Sequence, residues 1–378
     1  MIRILYITTG TGVGGAERQL ATLLPYLAEV GLEPAVISLI PLGATATAME
    51  QSGVTCWSLE LQRPLDLPRA SFRLRRLVRH FQPDLIQGWM YHGNLAALWA
   101  ARSAGDRLPV VWGVRQSLVD LQREKPGTRV VIRLSALLSR RPQRIVYNAV
   151  AARQQHESFG FASERGTVIG NCFDSQRWHP DDLAREDVRR ELGVPEDAPI
   201  IGLIARYHPM KGHKVFFEAA RILALRRSEV HFLLAGTGVE AKNPHLSPWL
   251  HDSTLANRLH LLGERADVER LTAALDIASS SSWGEAFSNT IAEALLCAVP
   301  VVATAVGDAA RIIGQPEWVV PPGDAQALAA AWERLLALPA TERRRLADKK
   351  RERMLQLYGL ESIGHQYVRL YEMLSSGA

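Results

Sequence analysis

The chain has 378 residues, 47% hydrophobic and 22% charged, with a net charge of +5. That length suits two domains and that balance suits a folded globular protein, which excludes disordered and fibrous classes. Three widely spaced cysteines, Cys56, Cys172 and Cys297, argue against a disulfide scaffold or a zinc site and for a reducing, cytoplasmic compartment.

In chain order, IRILYIT reads as a strand rather than a signal peptide, and AERQLATLLPYLAEVG as a helix closed by Gly31. Strands at PAVISLI, DLIQGW, PVVWGV, RIVYNA and TVIGN then alternate with helices at SFRLRRLVRHF, GNLAALWAARSAG, IRLSALLSRR and AARQQHESFG. The pattern breaks at residues 173–199, polar and proline-bearing, which read as a connector with a short helix. A second series opens at PIIGLIA. It continues through a helix at KVFFEAARILALRR, strands at VHFLLAG and HLLG, a helix at VERLTAAL and a strand at DIASSSS. A helix at NTIAEALLCA and strands at PVVATAV and WVVPP follow, with helices from DAQALAAAWERLLAL to the end. The alternation predicts an α/β fold of two doubly wound, Rossmann-like domains facing a central cleft. The expected boundaries are 1–175, 176–360 and a C-terminal helix, 361–378, packing back on the first domain. No apolar run is long enough to span a bilayer, so any membrane contact is expected at the surface.

Charge is uneven. Residues 1–180 hold 21 Lys and Arg against 13 Asp and Glu, while residues 181–378 hold 23 against 26. The helix RASFRLRRLVRHF carries Arg69, Arg73, Arg76, Arg79 and His80, with Phe72, Leu74, Leu77, Val78 and Phe81 expected on an apolar face. A second basic group is Arg129, Arg133, Arg140, Arg141 and Arg144. Such a face is either a solvated helix surface or a site of attraction to anionic lipid headgroups or a phosphorylated acceptor. Nucleic acid is not expected, because the aromatics do not interleave with the cations.

The loop TTGTGVGGAERQL has the G-x-G-x-x-G spacing of a dinucleotide site at Gly10, Gly12 and Gly15. A NAD site also needs an acid about 20 residues on, at the end of the second strand. PAVISLIPLG offers none there. What remains is a tight turn whose helix, starting near Ala16, can point N–H groups at an anion.

The strongest signal is SSSSWGEAFSNTIAEALLCAVPVVATAVGD. Glu285 falls in a strand–helix loop and Glu293 on the following helix, whose start at Ser288, Asn289 and Thr290 can present backbone N–H groups. A carboxylate for hydroxyls beside a site for anionic oxygens suits a ligand bearing both sugar and phosphate. Alternatively, Thr290 and Glu293 form a capping box that merely closes the helix start. In IARYHPMKGH, Arg206 ends a strand and Lys211 follows five residues later, a fork and a point charge able to hold a diphosphate.

These elements together resemble retaining glycosyltransferases of the GT-B fold, family 4 type. The E-x7-E pair, the R-x4-K pair, LLGERADVERL before DIASSSS, and VPVVAT followed by VGD carry the resemblance in residues 198–325. GGAE at 14–17, PDLIQGWMYHGNLAAL at 83–98 and VIGNCFD at 168–174 extend it over nearly the whole chain. The resemblance implies that Glu285 binds hydroxyls of the donor sugar and Glu293 the ribose, while Arg206 and Lys211 neutralise the leaving diphosphate. Ala286 and the backbone of Phe287, Ser288 and Asn289 would line the donor. His92 would sit across the cleft near the donor sugar, and Gly14 and Gly15 would let the backbone approach donor phosphate and acceptor; Glu17 is a weaker candidate. Ala286 stands where the family usually has glycine, as do Cys172 and Ala298; Ser288 replaces a common proline and Arg311 a common glutamate.

Two carboxylates also admit a glycosidase, but that would need both beside the anomeric carbon. No Asp-x-Asp motif occurs, so no catalytic metal and no cofactor are expected. The expected substrate is a UDP- or GDP-sugar and the expected partner a glycan or lipid-linked acceptor, at or near an anionic membrane. The resemblance thus implies a retaining glycosyltransferase of polysaccharide or lipid-linked glycan assembly. A GT-B-fold nucleotide-sugar epimerase is the alternative, with a NAD-dependent dehydrogenase behind it.

Overall fold

RILYIT is apolar at its four central positions, Ile4 to Ile7, the composition of a strand covered on both faces. In the computed structural model, which describes residues 1–105 and 108–376, it becomes β1 (Arg3–Thr8), an interior strand of a seven-stranded sheet. The chain divides into two units: Met1–Cys172 with Tyr358–Ala378, and Phe173–Leu357.

The first unit runs α1 (Gly15–Glu29), β2 (Glu33–Ser38), α2 (Ala44–Gln51), β3 (Thr55–Ser58), α3 (Leu67–Phe81) and β4 (Leu85–Trp89). It continues through α4 (Met90–Ser103), β5 (Val110–Val114), α5 (Pro126–Leu138), β6 (Arg144–Tyr147), α6 (Val150–Phe159) and β7 (Gly166–Val168). The strand order is β3-β2-β1-β4-β5-β6-β7, parallel throughout. α2 and β3 are additions to the sequence reading, which passed from the second strand directly to the arginine-rich helix. ATATAMEQ has little helical periodicity and TCWS is a four-residue edge strand, so neither carries a strong pattern.

The second unit holds α7 (Asp182–Leu192), β8 (Ile200–Ile204), α8 (His213–Ala224), β9 (His231–Ala235), α9 (Ser247–Leu250), β10 (Leu259–Leu261) and α10 (Val268–Ala273). β11 (Ile277–Ser280), α11 (Asn289–Leu296), β12 (Val301–Thr304), α12 (Ala309–Ile313), β13 (Val319–Val320), α13 (Ala325–Ala337) and α14 (Ala340–Tyr358) follow. Its parallel six-stranded sheet is ordered β10-β9-β8-β11-β12-β13. The last helix, α15 (Leu360–Ser375), belongs to the first unit and packs beside α1.

Two cores cover the two faces of the first sheet. Side chains of α3, α4 and α5 fill one, and side chains of α1, α2 and α15 fill the other. Phe72 is a correction to the expected apolar face of α3: it is 71% exposed, while Ala70, Leu74, Leu77, Val78 and Phe81 are buried. At 100° per residue Phe72 lies opposite that set, so it points outward among the arginines.

In the second sheet, Asp276 leads β11 and accepts from Arg185 and Arg189 at 2.7 Å each and from the Ile200 amide at 2.8 Å. The motif LLGERADVERL does structural work as well. Arg265 and Arg270 bind both Asp267 and Glu191, tying α7 to the start of α10. Ala298 adopts a φ of +53°, the left-handed conformation that the family's glycine would take without a Cβ clash.

Each unit buries one neutral histidine. His156 faces the Ala152 carbonyl through Nδ1 at 2.7 Å and the Tyr91 hydroxyl through Nε2 at 2.6 Å, and burial pushes its pKa down to about 4. Burial, assisted by neighbouring Lys211, pushes His213 down to about 4 as well. Below about pH 6.5 the unfolded imidazoles bind protons that the native ones refuse until about pH 4, so stability is lost across that window as pH falls. Each histidine accounts for on the order of 3 kcal/mol at the acid end. Urea midpoints should therefore fall steadily from about pH 7 to about pH 4.5; a flat profile would contradict buried neutral imidazoles.

Candidate functional site

In an open parallel sheet, ligands bind beyond the carboxyl ends of the two adjacent strands whose connections run to opposite sides. In the second unit those strands are β8 and β11. The segment after β8 carries Arg206 and Lys211, and the segment after β11 carries Glu285.

Several bonds lock these two segments together. Lys211 ends a single 3-10 turn, Pro209–Lys211, which His208 caps by accepting the Met210 amide through Nδ1 at 3.2 Å. Gly212 follows with a φ of +66°, and a Cβ there would lie 1.9 Å from the Ser281 carbonyl oxygen. Only glycine permits that approach. The Ser281 hydroxyl donates to the Lys211 carbonyl at 3.0 Å, and the Trp283 amide donates to the Met210 carbonyl at 2.8 Å. Thr304, at the end of β12, donates to the Ser282 carbonyl at 2.6 Å.

On this frame Lys211 Nζ donates to Glu285 Oε1 at 2.5 Å, and the Ser282 hydroxyl donates to the same oxygen at 2.8 Å. The pair is largely sheltered, with side-chain exposures of 28% and 14%, so salt screens it less than a surface pair. An ammonium has three donors and a carboxylate two oxygens. Lys211 therefore holds Glu285 with one N–H and keeps two for another anion, while Oε2 keeps its capacity for hydroxyl donors. Arg206 is exposed, and its guanidinium makes no hydrogen bond or ion pair among the described residues.

Behind Glu285 the backbone is fixed by Gly307, whose φ is +54°. A Cβ there would lie 2.4 Å from the carbonyl oxygens of both Glu285 and Ala286. The Asp308 amide donates to the Ala286 carbonyl at 3.0 Å. Ala286, Phe287 and Ser288 are buried, and Phe287 stacks on Phe173 with ring centroids 6.0 Å apart.

α11 starts at Asn289 with Ser288 at the N-cap and no side-chain capping bond. The capping-box alternative is therefore set aside: Thr290 is the second residue of the helix and Glu293 the fifth. The reason is that the helix begins before Thr290, so Thr290 cannot serve as its cap. Glu293 is half-buried in the second turn.

The first unit repeats the arrangement at β1 and β4. Gly14, the N-cap of α1, and Gly15, its first residue, are exposed after β1, one residue before the expected helix start. A Cβ on Gly14 would meet the Glu17 carboxylate at 2.3 Å. After β4, Met90 opens α4 with a φ of +65°, a conformation that costs a non-glycine residue about 1–3 kcal/mol. His92 follows on the first turn, exposed, with partial desolvation holding its pKa below the ordinary value. The Trp89 indole donates to the Ala16 carbonyl at 2.9 Å, joining the two turns. Gly93 lets α4 sit on β1, since a Cβ there would lie 2.2 Å from the Ile7 carbonyl oxygen. β2 ends at Ser38 and no acid follows through Gly43, so the second half of a dinucleotide fingerprint is absent here too.

Ser282, Gly212, Gly307 and Met90 were not foreseen. The serine run reads as a strand end, and neither glycine is singled out within the motifs that contain it. Met90 carries no signal, because positive φ at a methionine has no sequence signature.

Residues 13–177 match the family model described as Glycosyltransferase Family 4, and residues 198–338 match that described as Glycosyl transferases group 1. The chain is 35% identical over 196 residues to the D-inositol 3-phosphate glycosyltransferase of Geodermatophilus obscurus, a match covering 49% of this chain and 42%, less than half, of that relative. It is 26% identical over 366 residues to the lipopolysaccharide core biosynthesis glycosyltransferase LpsE of Rhizobium meliloti, covering 94% and 95% of the two chains. The crystal structure of Anabaena Alr3699/HepE in complex with UDP superposes with a TM-score of 0.85 at 25% identity, covering 99% and 100%. With one matched segment for each unit, the chain belongs to the glycosyltransferases of the family 4 type, built on the GT-B fold.

Proposed function

We propose that this chain transfers a sugar from a nucleoside diphosphate sugar to an acceptor hydroxyl, with retention of anomeric configuration and without a catalytic metal. The observation that carries the reading is the sheltered Lys211–Glu285 pair between β8 and β11, with exposed Arg206 on the same segment as Lys211. In this reading Arg206 and the two remaining N–H groups of Lys211 meet the charge that develops on the departing diphosphate. The start of α11, at Phe287, Ser288 and Asn289, adds the positive end of its helix dipole. Glu285 accepts sugar hydroxyls through Oε2, and Glu293 accepts from the ribose. On the first unit, Gly14, Gly15 and His92 stand at the corresponding strand-reversal point between β1 and β4.

The family relatives favour glycan assembly as the setting, and HepE solved with UDP makes uridine the first base to test. A thermal-shift panel of UDP, GDP and their sugars tests the donor, because a ligand bound only by the native state raises its melting temperature. A donor present at about 100 times its Kd should add about 2.7 kcal/mol. Failure of every nucleotide to stabilise the protein would overturn the donor assignment. Donor alone turning into an epimerised nucleotide sugar would overturn the transfer reading.

A further inference from the structure

α3, α4 and α5 lie side by side on one face of the first sheet, with α4 packed against both neighbours. Not one of these three helices contains an Asp or Glu. Between them they carry eight arginines: Arg69, Arg73, Arg75, Arg76 and Arg79 on α3, Arg102 on α4, and Arg129 and Arg133 on α5. A solvated helix face ordinarily mixes both signs of charge, so a three-helix layer free of acids is a strong single-sign field.

The same layer exposes large apolar side chains. Phe72 on α3 is 71% exposed and Trp99 on α4 56% exposed. On α5, Val130, Leu134 and Leu137 form an exposed stripe at helical spacing, and Leu137 is 79% exposed. Arg133 stands beside that stripe, and exposed Arg140 and Arg141 follow it.

We propose that this α3–α4–α5 face docks on an anionic lipid bilayer, with Phe72, Trp99 and Leu137 entering the headgroup boundary and the arginines contacting lipid phosphates. Cations ringing apolar and aromatic side chains are what a bilayer interface selects. A second copy of the chain is disfavoured as occupant, because a two-fold contact would set arginines against the same arginines. Among the described residues no helix is long and apolar enough to cross a membrane, so this contact is peripheral. The inference deepens the functional reading, since a transferase held at a bilayer would meet a lipid-borne acceptor. It does not depend on the identity of the donor.

The test uses the full chain with phosphatidylcholine vesicles, with and without phosphatidylglycerol, read by co-sedimentation. Binding is expected on the anionic vesicles only. Charge reversal at Arg73→Glu, Arg76→Glu and Arg79→Glu together should weaken it at least about 100-fold, each lost surface cation costing about fivefold. Phe72→Ser and Leu137→Ser together should weaken it with little change in melting temperature, because both side chains are largely exposed, and adding Trp99→Ser should weaken it further. Binding that survives both triple variants, equal binding to neutral vesicles, or dimerisation through this face would overturn the proposal. Nucleotide thermal shifts on the same preparations, without lipid, keep failure of this inference distinct from failure of the transferase reading.

Discussion

Replacing Lys211 by Ala should lower sugar transfer by about 10²–10³-fold, the scale expected when a preorganised group that stabilises transition-state charge is removed. The loss should fall mainly on kcat, because charge on the diphosphate grows as the glycosidic bond breaks. Lys211 also fixes Glu285 at 2.5 Å, so its removal leaves a carboxylate held, among the described residues, by Ser282. Glu285→Ala should therefore cost a comparable factor, and the double variant should lose far less than the product of the two losses. Additive losses would mean that the two groups act independently. Unchanged transfer in both single variants would remove this pair from the chemistry. The fold should tolerate either change, since both side chains stand at the mouth of a frame built from Gly212, Ser281, Thr304 and Gly307.

The doubly wound architecture was readable because buried parallel strands are short apolar runs and their helices keep a 3.6-residue period. RILYIT and IIGLI needed nothing more. α2 and β3 escaped because ATATAMEQ is weakly amphipathic and TCWS lies at a sheet edge, where burial writes less into the sequence. Glu285, Lys211 and Arg206 were legible as charges at strand ends. Their mutual geometry was not: that Lys211 bonds Glu285 depends on how closely two strand ends approach, which Gly212 permits and no spacing rule encodes. The capping-box alternative fell for a related reason. A one-residue difference in where α11 begins decides whether Thr290 is a cap, and helix boundaries are the least legible feature of a sequence. Phe72 shows the reverse case, in which composition suggested burial and helical phase determined exposure.

The largest stability effect should come from ending the chain after Gly359, which removes α15 from the first unit. Ile363, Tyr367, Leu370 and Tyr371 all lie in the core beneath that helix, and Gly364 is pressed against Tyr26, leaving no room for a Cβ. Burying four such side chains stabilises by about 1.5–3 kcal/mol each. Their hydroxyls matter too: Tyr371 shares a 2.7 Å bond with the Tyr6 hydroxyl and donates to Gln87 Oε1 at 3.1 Å, while Arg115 donates to the Tyr367 hydroxyl. Truncation breaks these bonds and opens the Tyr6 hydroxyl and Gln87 to water, so most of the loss comes from the four buried side chains. The combined loss rivals the 5–15 kcal/mol (~) that typically holds a domain together. Limited proteolysis of the truncated chain should therefore digest residues 1–172, while the second unit, whose core contains no part of α15, resists. Tyr371→Phe provides the graded control. It keeps the ring and leaves the Tyr6 hydroxyl and Gln87 Oε1 buried without that partner, so it should cost about 1–3 kcal/mol for each and less than the truncation. A truncated chain as resistant as the full one would show that α15 merely decorates the first sheet.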